Sequence, residues 1–316
     1  MRTIIIRYVI TNIRHIFILH KISFRSPFSI VTALVDRIHV RERITAVEDI
    51  KISGHVTWVG RSSAESTLNL HQLRDGEWKK VISATFVMVA KDPMNKGAGV
   101  VNRLLTETPE EKMLLAKGQE NYIFRKNQSK DSLFKTPPSV EENRLIHDFF
   151  IQTVDDTKLS FKARIKPEHS EWMEDAKLKN LVICQPEHRN RFNKIFGGFI
   201  MRQAFELAWA NAYVYSKEMP IIQYMDDILF QKPVEIGSLL YFNSQVCYTQ
   251  DKYVQIRVSA EVVDPKTGHL SVTNVFQYTF SFLNDLIPAK IIPKTYHEAI
   301  MYLDGRRHFL KSTEPS

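Results

Sequence analysis

The chain has 316 residues, of which 44% are hydrophobic and 25% are charged. This composition is typical of a globular protein, and the length accommodates two modest domains, each with its own core. Only two cysteines occur, Cys184 and Cys247, which excludes a disulfide framework and a four-thiolate zinc site. Both lie in apolar, strand-like runs with no histidine patterned beside them. We interpret them as buried core thiols rather than nucleophiles.

The formal net charge of +8 is concentrated near the N-terminus. The first 35 residues contain no acidic side chain and five basic ones: Arg2, Arg7, Arg14, Lys21 and Arg25. The rest of the chain therefore carries a net charge of +3. A nucleic-acid-binding protein would carry its basic charge on a face of the folded body. The charge distribution therefore argues against a nucleic-acid partner. No motif indicates a metal or a cofactor, and we expect neither.

The segment 1–25 is rich in isoleucine and arginine. Its uncharged stretches are too short to cross a bilayer and too short for the apolar region of a secretory signal. An arginine-bearing, acid-free and apolar N-terminus fits a mitochondrial presequence, and it equally fits a β-prone or poorly ordered end. The expected location is the mitochondrion or, without import, the cytoplasm.

An internal repeat with an offset of 190 residues organises the chain. The order of apolar and polar residues is shared by three pairs of segments: 35–38 with 225–228, 55–58 with 245–248, and 85–88 with 275–278. In the second copy, residues 254–262 alternate between apolar and polar, which is the period of a strand with one buried face. A turn at 264–268 follows, and Arg74-Asp75-Gly76 is the matching turn of the first copy. Each copy is therefore predicted to be an antiparallel meander.

Between the copies lies a segment with two helix starts, at 106–111 and 137–142, each with a proline and acidic residues in or before the first turn. We interpret this segment as a helical linker rather than a third domain. The predicted organisation is an N-terminal segment 1–25, a first domain 26–98, a linker 99–166, a second domain 167–290 and a tail 291–316.

One long helix is predicted inside the second copy, over 196–215. It has almost no polar face, and such a helix is expected to be buried on all sides. A buried helix beside an antiparallel meander indicates a sheet wrapped around that helix, which is the α+β hot-dog architecture. Gly197 and Gly198 stand at the start of the helix, where free backbone N–H groups and the helix dipole can stabilise a carbonyl oxygen that gains charge.

The residues around this helix start resemble the hot-dog acyl-CoA thioesterases, in particular a mitochondrial branch of that family. The resemblance extends from about 26 to 309 and is most specific over 185–245. It rests on four runs of residues: 189–199 with Asn190 and the paired glycines, 225–228, 230–234, and 302–309. It implies a protein of two hot-dog domains, the first of which lacks its usual loop and helix.

The resemblance also implies a reaction, the attack of water on the thioester carbonyl of an acyl-CoA. In the family one hot-dog supplies an asparagine before the Gly-Gly helix, and the other supplies an acidic residue within its own central helix. Asn190 matches the asparagine, which positions the water or the carbonyl, and the amides of Gly197 and Gly198 match the oxyanion donors. The implied partners are acyl-CoA and further copies of the chain in a homo-oligomer.

The acidic residue is expected near 9–16 of the first copy, yet no Asp or Glu precedes Asp36. An alternative gene start or a truncated product would explain this. Four other side chains are interpreted as structural or solvated rather than catalytic: Glu206, Asp36, Asp226 and His188. His15 is a further, weaker candidate for the role of the missing acidic residue. The alternative function is therefore a catalytically silent subunit that binds acyl-CoA or serves a structural role, and a chain that does not fold stably is a third hypothesis.

Substrate binding leaves a less specific pattern in the sequence. Four basic residues next to the helix start are candidates for binding the phosphates of coenzyme A: Arg189, Arg191, Lys194 and Arg202. Arg306 and Arg307 in the tail are a second candidate pair. Three aromatic residues of the helix are predicted to be core rather than acyl-pocket lining: Phe205, Trp209 and Tyr213.

Overall fold

The computed structural model describes residues 7–10, 29–45, 47–91, 97–128, 132–158, 160–190 and 192–313. Contacts divide the chain into two compact units, Met1–Lys130 and Asp131–Ser316. Most of the predicted N-terminal segment, including His15, lies outside the described residues, as does Arg191.

The first unit is a sheet with one helix. Its elements in chain order are β1 (Arg7–Ile10), β2 (Ser29–Val40), β3 (Ile50–Val59), β4 (Ser63–Arg74), β5 (Glu77–Lys91) and α1 (Pro109–Gln128). The strand order is β1-β3-β4-β5-β2. All pairs are antiparallel except β1 with β3, which is parallel. The described part of the segment expected to match the second-copy helix, residues 7–10, is a strand.

The second unit contains a five-stranded antiparallel sheet and three helices. Its elements are α2 (Val140–Thr153), β6 (Ser170–Trp172), β7 (Lys177–Ile183), α3 (Gly197–Ser216), β8 (Pro220–Phe230), β9 (Leu239–Gln250), β10 (Tyr253–Val263), β11 (Leu270–Phe282), β12 (Lys290–Ile292) and α4 (Tyr296–Thr313). The main strand order is β8-β11-β10-β9-β7, and β12 pairs separately with β6. Single turns of 3₁₀ helix lie at Asp156–Lys158, Met173–Asp175, Pro186–His188 and Leu283–Asp285.

Helix α3 packs along one face of the second sheet, which we call its inner face. A stripe of residues spaced at helical period is buried there: Ile200, Ala204, Ala208 and Ala212. Phe205 meets Tyr278 of β11 edge-on at 5.9 Å between ring centroids. An antiparallel sheet that holds one long helix against its inner face is the predicted hot-dog arrangement, and the predicted α+β class is confirmed.

The prediction that α3 is buried on all sides is wrong for the single chain. Tyr213 and Val214 remain 47% and 63% exposed. The physical reason is geometric, because one sheet contacts only one stripe of a helix and leaves the opposite stripe to other partners. Tyr213 was also predicted to be a core residue, and that prediction is wrong for the same reason.

Helix α4 covers the other face of the second sheet, which we call the outer face. Gly305 packs on Cys247 and Tyr248 of β9, and Tyr302 meets Tyr248 edge-on at 5.1 Å. Side chains of β11 alternate between the two helices: Tyr278 faces α3, whereas Gln277 donates a hydrogen bond to Asp304 of α4. The sheet thus lies between α3 and α4.

Helix α1 takes the same place in the first unit that α4 takes in the second. Gly118 packs on Thr57 and Trp58 of β3, the residues that precede Cys247 and Tyr248 by 190 positions. Tyr122 stacks on Trp58 at 4.8 Å, and the Trp58 Nε1–H donates to Gln119 at 2.8 Å. The face of the first sheet that contacts α1 is accordingly its outer face. The segment 99–166 therefore contains an outer helix of the first unit.

Two β-bulges confirm the repeat at the level of strand pairing. The register of β3 skips Thr57, and that of β9 skips Cys247, 190 positions later. A second bulge lies at Val81 of β5, opposite the step from Leu70 to His71 in β4, and at Thr273 of β11, opposite the equivalent step in β10. The predicted constant offset fails only in the last strand, where β5 matches β11 with an offset of 192. The reason is that the turn 265–268 is two residues longer than Asp75-Gly76.

Candidate active site

Asn190 organises the turn between β7 and α3. Its side-chain oxygen Oδ1 accepts hydrogen bonds from the backbone N–H groups of Phe192 at 2.8 Å and Lys194 at 3.2 Å. The Asn190 backbone N–H donates to the Lys194 carbonyl at 2.7 Å. Asn193 adopts φ 55°, a left-handed conformation that asparagine tolerates well. The sequence therefore folds here into a turn closed around one side-chain oxygen.

The hydrogen bonds of Asn190 fix the orientation of its amide. Both partners of the inner atom are N–H donors, so only the oxygen can face them. The amide nitrogen Nδ2 must then point away from the turn, and no hydrogen-bond partner for it occurs among the described residues. Asn190 is half-buried. It presents a hydrogen-bond donor rather than an acceptor to a ligand.

The turn is joined to the first residues of α3. The Phe196 N–H donates to the His188 carbonyl at 2.8 Å, and the His188 ring stacks on Phe199 at 3.8 Å with an interplanar angle of 14°. His188, which the sequence left as a solvated loop residue, is therefore a packing residue of the turn. These contacts tie the position of Asn190 to that of the helix start.

The two glycines at the start of α3 lie in close contact with aromatic rings. A Cβ on Gly197 would lie 2.6 Å from the Phe230 ring, and one on Gly198 would overlap the Phe196 ring. The residue before the helix, Phe196, provides no side-chain cap. The first backbone N–H groups of a helix have no intrahelical acceptor, so those of Gly197 and Gly198 are available to an outside oxygen.

The basic residues near the helix start have different surroundings. Lys194 forms an ion pair with Glu235, and Arg202 forms one with Glu206 at 2.7 Å on the exposed side of α3. Arg189 is exposed. Two of the predicted phosphate-binding residues thus already contact a carboxylate, and Glu206 has a surface partner, as its structural interpretation predicted.

The other candidate acids lie beneath the outer helices. Asp226, whose side chain is 2% exposed, contacts His308 Nδ1 at 3.3 Å and Lys311 Nζ at 3.5 Å. Asp36 pairs with Arg125 of α1 at 2.8 Å. Both aspartates therefore anchor an outer helix, in agreement with their structural interpretation.

Glu65 is a buried acid that sequence reasoning missed. Its side chain is 1% exposed and accepts from Arg125 at 2.7 Å, Thr57 at 2.9 Å and Asn121 at 3.2 Å. The partners lie up to 60 residues away in α1, so no local pattern in the sequence indicates them. Glu65 is saturated with donors and serves to hold α1.

The second pair of candidate phosphate-binding arginines lies on α4. Arg307 donates through Nε and Nη2 to the two carboxylate oxygens of Glu142 in α2, each at 2.7 Å. This bidentate pair lowers the pKa of Glu142, mainly through the hydrogen bonds from Arg307. Arg307 therefore joins α4 to α2, and its described contacts do not indicate a role in binding a ligand.

The two cysteines are buried, as predicted. Burial raises the pKa of the Cys184 thiol to about 11. Burial likewise raises the pKa of Cys247, with a smaller contribution from Asp304. Neither thiol is a nucleophile at neutral pH, because the thiolate is the reactive form.

Within the described ranges, no group of three or more His, Cys, Asp or Glu side chains is arranged to hold a metal ion. No helix in the same part of the chain is long and apolar enough to span a bilayer.

No protein-family model matches the chain, but curated relatives do. Acyl-coenzyme A thioesterase 9, mitochondrial, of Homo sapiens is 48% identical over 292 residues, which is 92% of this chain and 66% of that protein. Acyl-coenzyme A thioesterase 10, mitochondrial, of Mus musculus is 47% identical with the same coverage. Acyl-coenzyme A thioesterase 2, chloroplastic, of Humulus lupulus is 33% identical over 88% of this chain and 66% of that protein. The chain thus spans 66% of the length of these relatives.

Similar solved structures are more distant. An acyl-CoA hydrolase from Staphylococcus aureus, solved with butyryl coenzyme A and coenzyme A, has a TM-score of 0.43 and 19% identity over 45% of this chain and 89% of that one. A putative oleoyl thioesterase from Lactobacillus plantarum has a TM-score of 0.49 and 10% identity over 81% of this chain and 77% of that one.

The sheet with its inner helix, and an asparagine-closed turn next to a paired-glycine helix start, define a hot-dog protein of the thioesterase type. The chain belongs to the acyl-CoA thioesterase family. Within that family it is similar to the mitochondrial acyl-coenzyme A thioesterases 9 and 10.

Proposed function

We propose that the chain takes part in the hydrolysis of acyl-CoA thioesters to a free carboxylic acid and coenzyme A. The observation that carries this proposal is the Asn190 amide nitrogen, which has no hydrogen-bond partner among the described residues. It belongs to a turn that is hydrogen-bonded to Phe196, the residue before the uncapped amides of Gly197 and Gly198. The 48% identity to a mitochondrial acyl-coenzyme A thioesterase supports the same substrate class. The names of the relatives likewise support a mitochondrial location, which we propose for this chain.

The chemistry requires stabilisation of one oxygen. Water adds to the thioester carbonyl carbon, and the electron pair of the C=O bond moves to the oxygen. The tetrahedral intermediate then collapses with cleavage of the C–S bond, and the thiolate of coenzyme A takes up a proton. Donors aimed at the developing oxyanion lower the barrier, and loss of one such donor typically costs about 100–1000-fold in rate.

The proposed role of Asn190 follows from its fixed amide. Because Oδ1 is occupied by the N–H groups of Phe192 and Lys194, the side chain can donate to the carbonyl oxygen but has no free lone pair to accept a hydrogen bond from water. Of the two roles that the resemblance implies, positioning the carbonyl and positioning water, the first is favoured.

The proton of the attacking water needs a base. No Asp or Glu precedes Asp36, and the described candidate acids Glu65, Asp36, Asp226 and Glu206 all contact basic partners. None of these four carboxylates is therefore assigned as the base. Arg189, Arg191, Lys194 and Arg202 remain the proposed contacts for the phosphates of coenzyme A. The proposed second domain remains 167–290, and the first is 26–98 with α1 added.

A silent acyl-CoA-binding subunit is the second candidate function. The absence of any acid among the first 35 residues favours it, because the resemblance places the base in that part of the repeat. Thermal stabilisation of the chain by coenzyme A without turnover would identify such a subunit.

The deciding experiment measures thiol release from short- and long-chain acyl-CoAs by the full chain and two variants. Asn190→Asp keeps the oxygen that closes the turn and replaces the donor with a carboxylate oxygen. Asn180→Asp makes the same chemical change at an exposed position of β7. We expect Asn190→Asp to lower the rate by about 100-fold or more and Asn180→Asp to leave it unchanged. Equal rates for the wild type and Asn190→Asp would refute the proposed role of Asn190.

A further inference from the structure

Asn274 is a polar residue on the inner face of the second sheet, beside the start of α3. In β11 it precedes Phe276 by two residues, and the Phe276 ring stacks on that of Tyr278, which faces α3. Side chains two positions apart share one face of a strand, so Asn274 is on the inner face as well. Its partner in β8 is Phe230, and the Phe230 ring lies against Gly197, the first residue of α3.

The Asn274 amide restrains the main chain next to Phe230. Its Nδ2 group donates a hydrogen bond to the Leu229 carbonyl oxygen at 2.9 Å. This carbonyl belongs to the planar peptide group that joins Leu229 to Phe230, so the hydrogen bond restrains the orientation of that whole group. One hydrogen bond and one aromatic ring thus connect Asn274 to the start of α3.

The fold gains no stability from the other end of this amide. Asn274 is fully buried, and its Oδ1 atom is enclosed without a hydrogen-bond partner among the described residues. A buried acceptor that has lost its water and gained no donor destabilises the folded state. An apolar side chain of similar size would avoid this cost. The stability of the sheet therefore does not explain the choice of asparagine at this position.

The first repeat provides an internal control. The residue at the same place is Ile82, and its partners Val40 and Leu70 precede the two partners of Asn274 by 190 positions. All three are aliphatic, so the strand pairing at this place is compatible with an apolar side chain. In the described part of the first unit, the only helix is α1, which lies on the outer face. The amide therefore occurs in the repeat whose inner face holds a helix start.

We propose that Asn274 is a positioning residue for the thioester hydrolysis assigned to the Asn190 site, and the inference rests on that proposed function. Through the Leu229 carbonyl it holds the Phe230 ring against Gly197, and the ring holds the first α3 amides where the oxyanion develops. Asn274 does not touch the substrate in this role. Displaced donors weaken the transition state more than the bound substrate, because the charge on the oxygen develops only during the reaction.

Steady-state thiol release by the full chain, together with thermal unfolding, tests the proposal. Asn274→Leu keeps the approximate volume and removes both the donor and the unpartnered oxygen. We expect kcat to fall about 10-fold or more with KM unchanged, since a small displacement of oriented groups suffices for such a loss. The Tm should stay the same or rise, because a buried unsatisfied acceptor is removed. An unchanged kcat, or a loss of kcat that only follows a lower Tm, would overturn the proposal.

Asn243→Leu is the matched control. The Asn243 Oδ1 atom is likewise enclosed without a partner among the described residues. Asn243 pairs with Ser259, the neighbour of the inner-face residue Ala260, so its side chain lies on the outer face. This variant should leave kcat unchanged. Equal losses of kcat in Asn243→Leu and Asn274→Leu would overturn a specific role for Asn274.

A double-mutant cycle tests whether Asn274 acts through the aromatic ring. The variant Asn274→Leu/Phe230→Leu should then lose no more activity than Phe230→Leu alone, whereas losses that multiply would overturn this connection. A wild-type chain that releases no thiol would refute the proposed function instead. In that case crystal structures decide the positioning role: the Phe230 ring should move away from Gly197 in Asn274→Leu, and an unmoved ring would overturn it.

Discussion

Gly305 of α4 lies directly against Cys247 of β9, so that a Cβ built on the glycine would fall 2.5 Å from the Cys247 sulfur. Cys247 is the bulge residue of its strand. In the first repeat Gly118 lies against the bulge residue Thr57, and a Cβ there would fall 3.1 Å from the Thr57 carbonyl oxygen. Each outer helix therefore approaches its sheet through a glycine at the same bulge.

Gly305→Ala should destabilise the second unit. An alanine in an open helix position would stabilise it by about 1 kcal/mol relative to glycine. Here overpacking against Cys247 should cost about 1–3 kcal/mol and outweigh that gain. Urea denaturation measures the difference. The double variant Gly305→Ala/Cys247→Ala removes the clashing sulfur, so the glycine substitution should cost less in that background. A stabilised Gly305→Ala protein would contradict the observed packing.

Arg125→Met should destabilise the first unit strongly. It leaves Glu65 buried without its charged partner, and breaking a buried pair in this way costs about 3–5 kcal/mol. The second repeat holds the neutral Gln255 at the position of Glu65. Adding Glu65→Gln should therefore recover a large part of the loss. Chemical denaturation of both variants is the measurement, and a cost below about 1 kcal/mol for Arg125→Met would contradict the strength assigned to this buried ion pair.

The Glu142–Arg307 pair should make stability depend on pH. The pKa of Glu142 is lowered in the folded state from its ordinary value of 4.5. The pair therefore contributes fully above pH 4.5, and its contribution is lost as the pH falls through the lower, folded-state value. Glu142→Gln can keep the capping hydrogen bonds but removes the charge. The difference in Tm between wild type and Glu142→Gln should be largest near pH 7 and shrink below pH 4.5, and a constant difference would argue against the pair.

The cysteines should resist modification in the folded protein. Both are buried, and burial raises the pKa of Cys184 to about 11. A chromogenic disulfide reagent at pH 8 should react with both thiols only after denaturant is added. Rapid reaction of either one in native buffer would show that its part of the core opens readily.

The features that could be predicted from the sequence are those marked by a pattern of neighbouring residues. Alternation identified the strands around 254–262, and the paired glycines with a long apolar run identified α3. Asn190 was found through its resemblance to a family motif. Its closed turn could not be foreseen in detail, but an asparagine ahead of a left-handed residue is the type of residue that forms one.

The features that could not be predicted from the sequence depend on contacts and strand pairing between residues that are far apart in the chain. Glu65 meets Arg125 across 60 positions, and Lys51, His71 and Lys80 are aligned with one another only by strand pairing. The exposure of Tyr213 was missed for another reason. The hydrophobicity of a helix face predicts that the face is buried, but it does not predict which element covers that face.

The correspondence of α1 with α4 sets the size of the module that is repeated in this chain. Each copy ends after its outer helix, at Gln128 and Thr313, rather than after its last strand at Lys91 and Phe282. A gene fragment cut after the first set of strands would leave the buried Glu65 without Arg125 and Trp58 without its stacking partner. A fragment that contains only the first half should therefore keep the chain through Gln128.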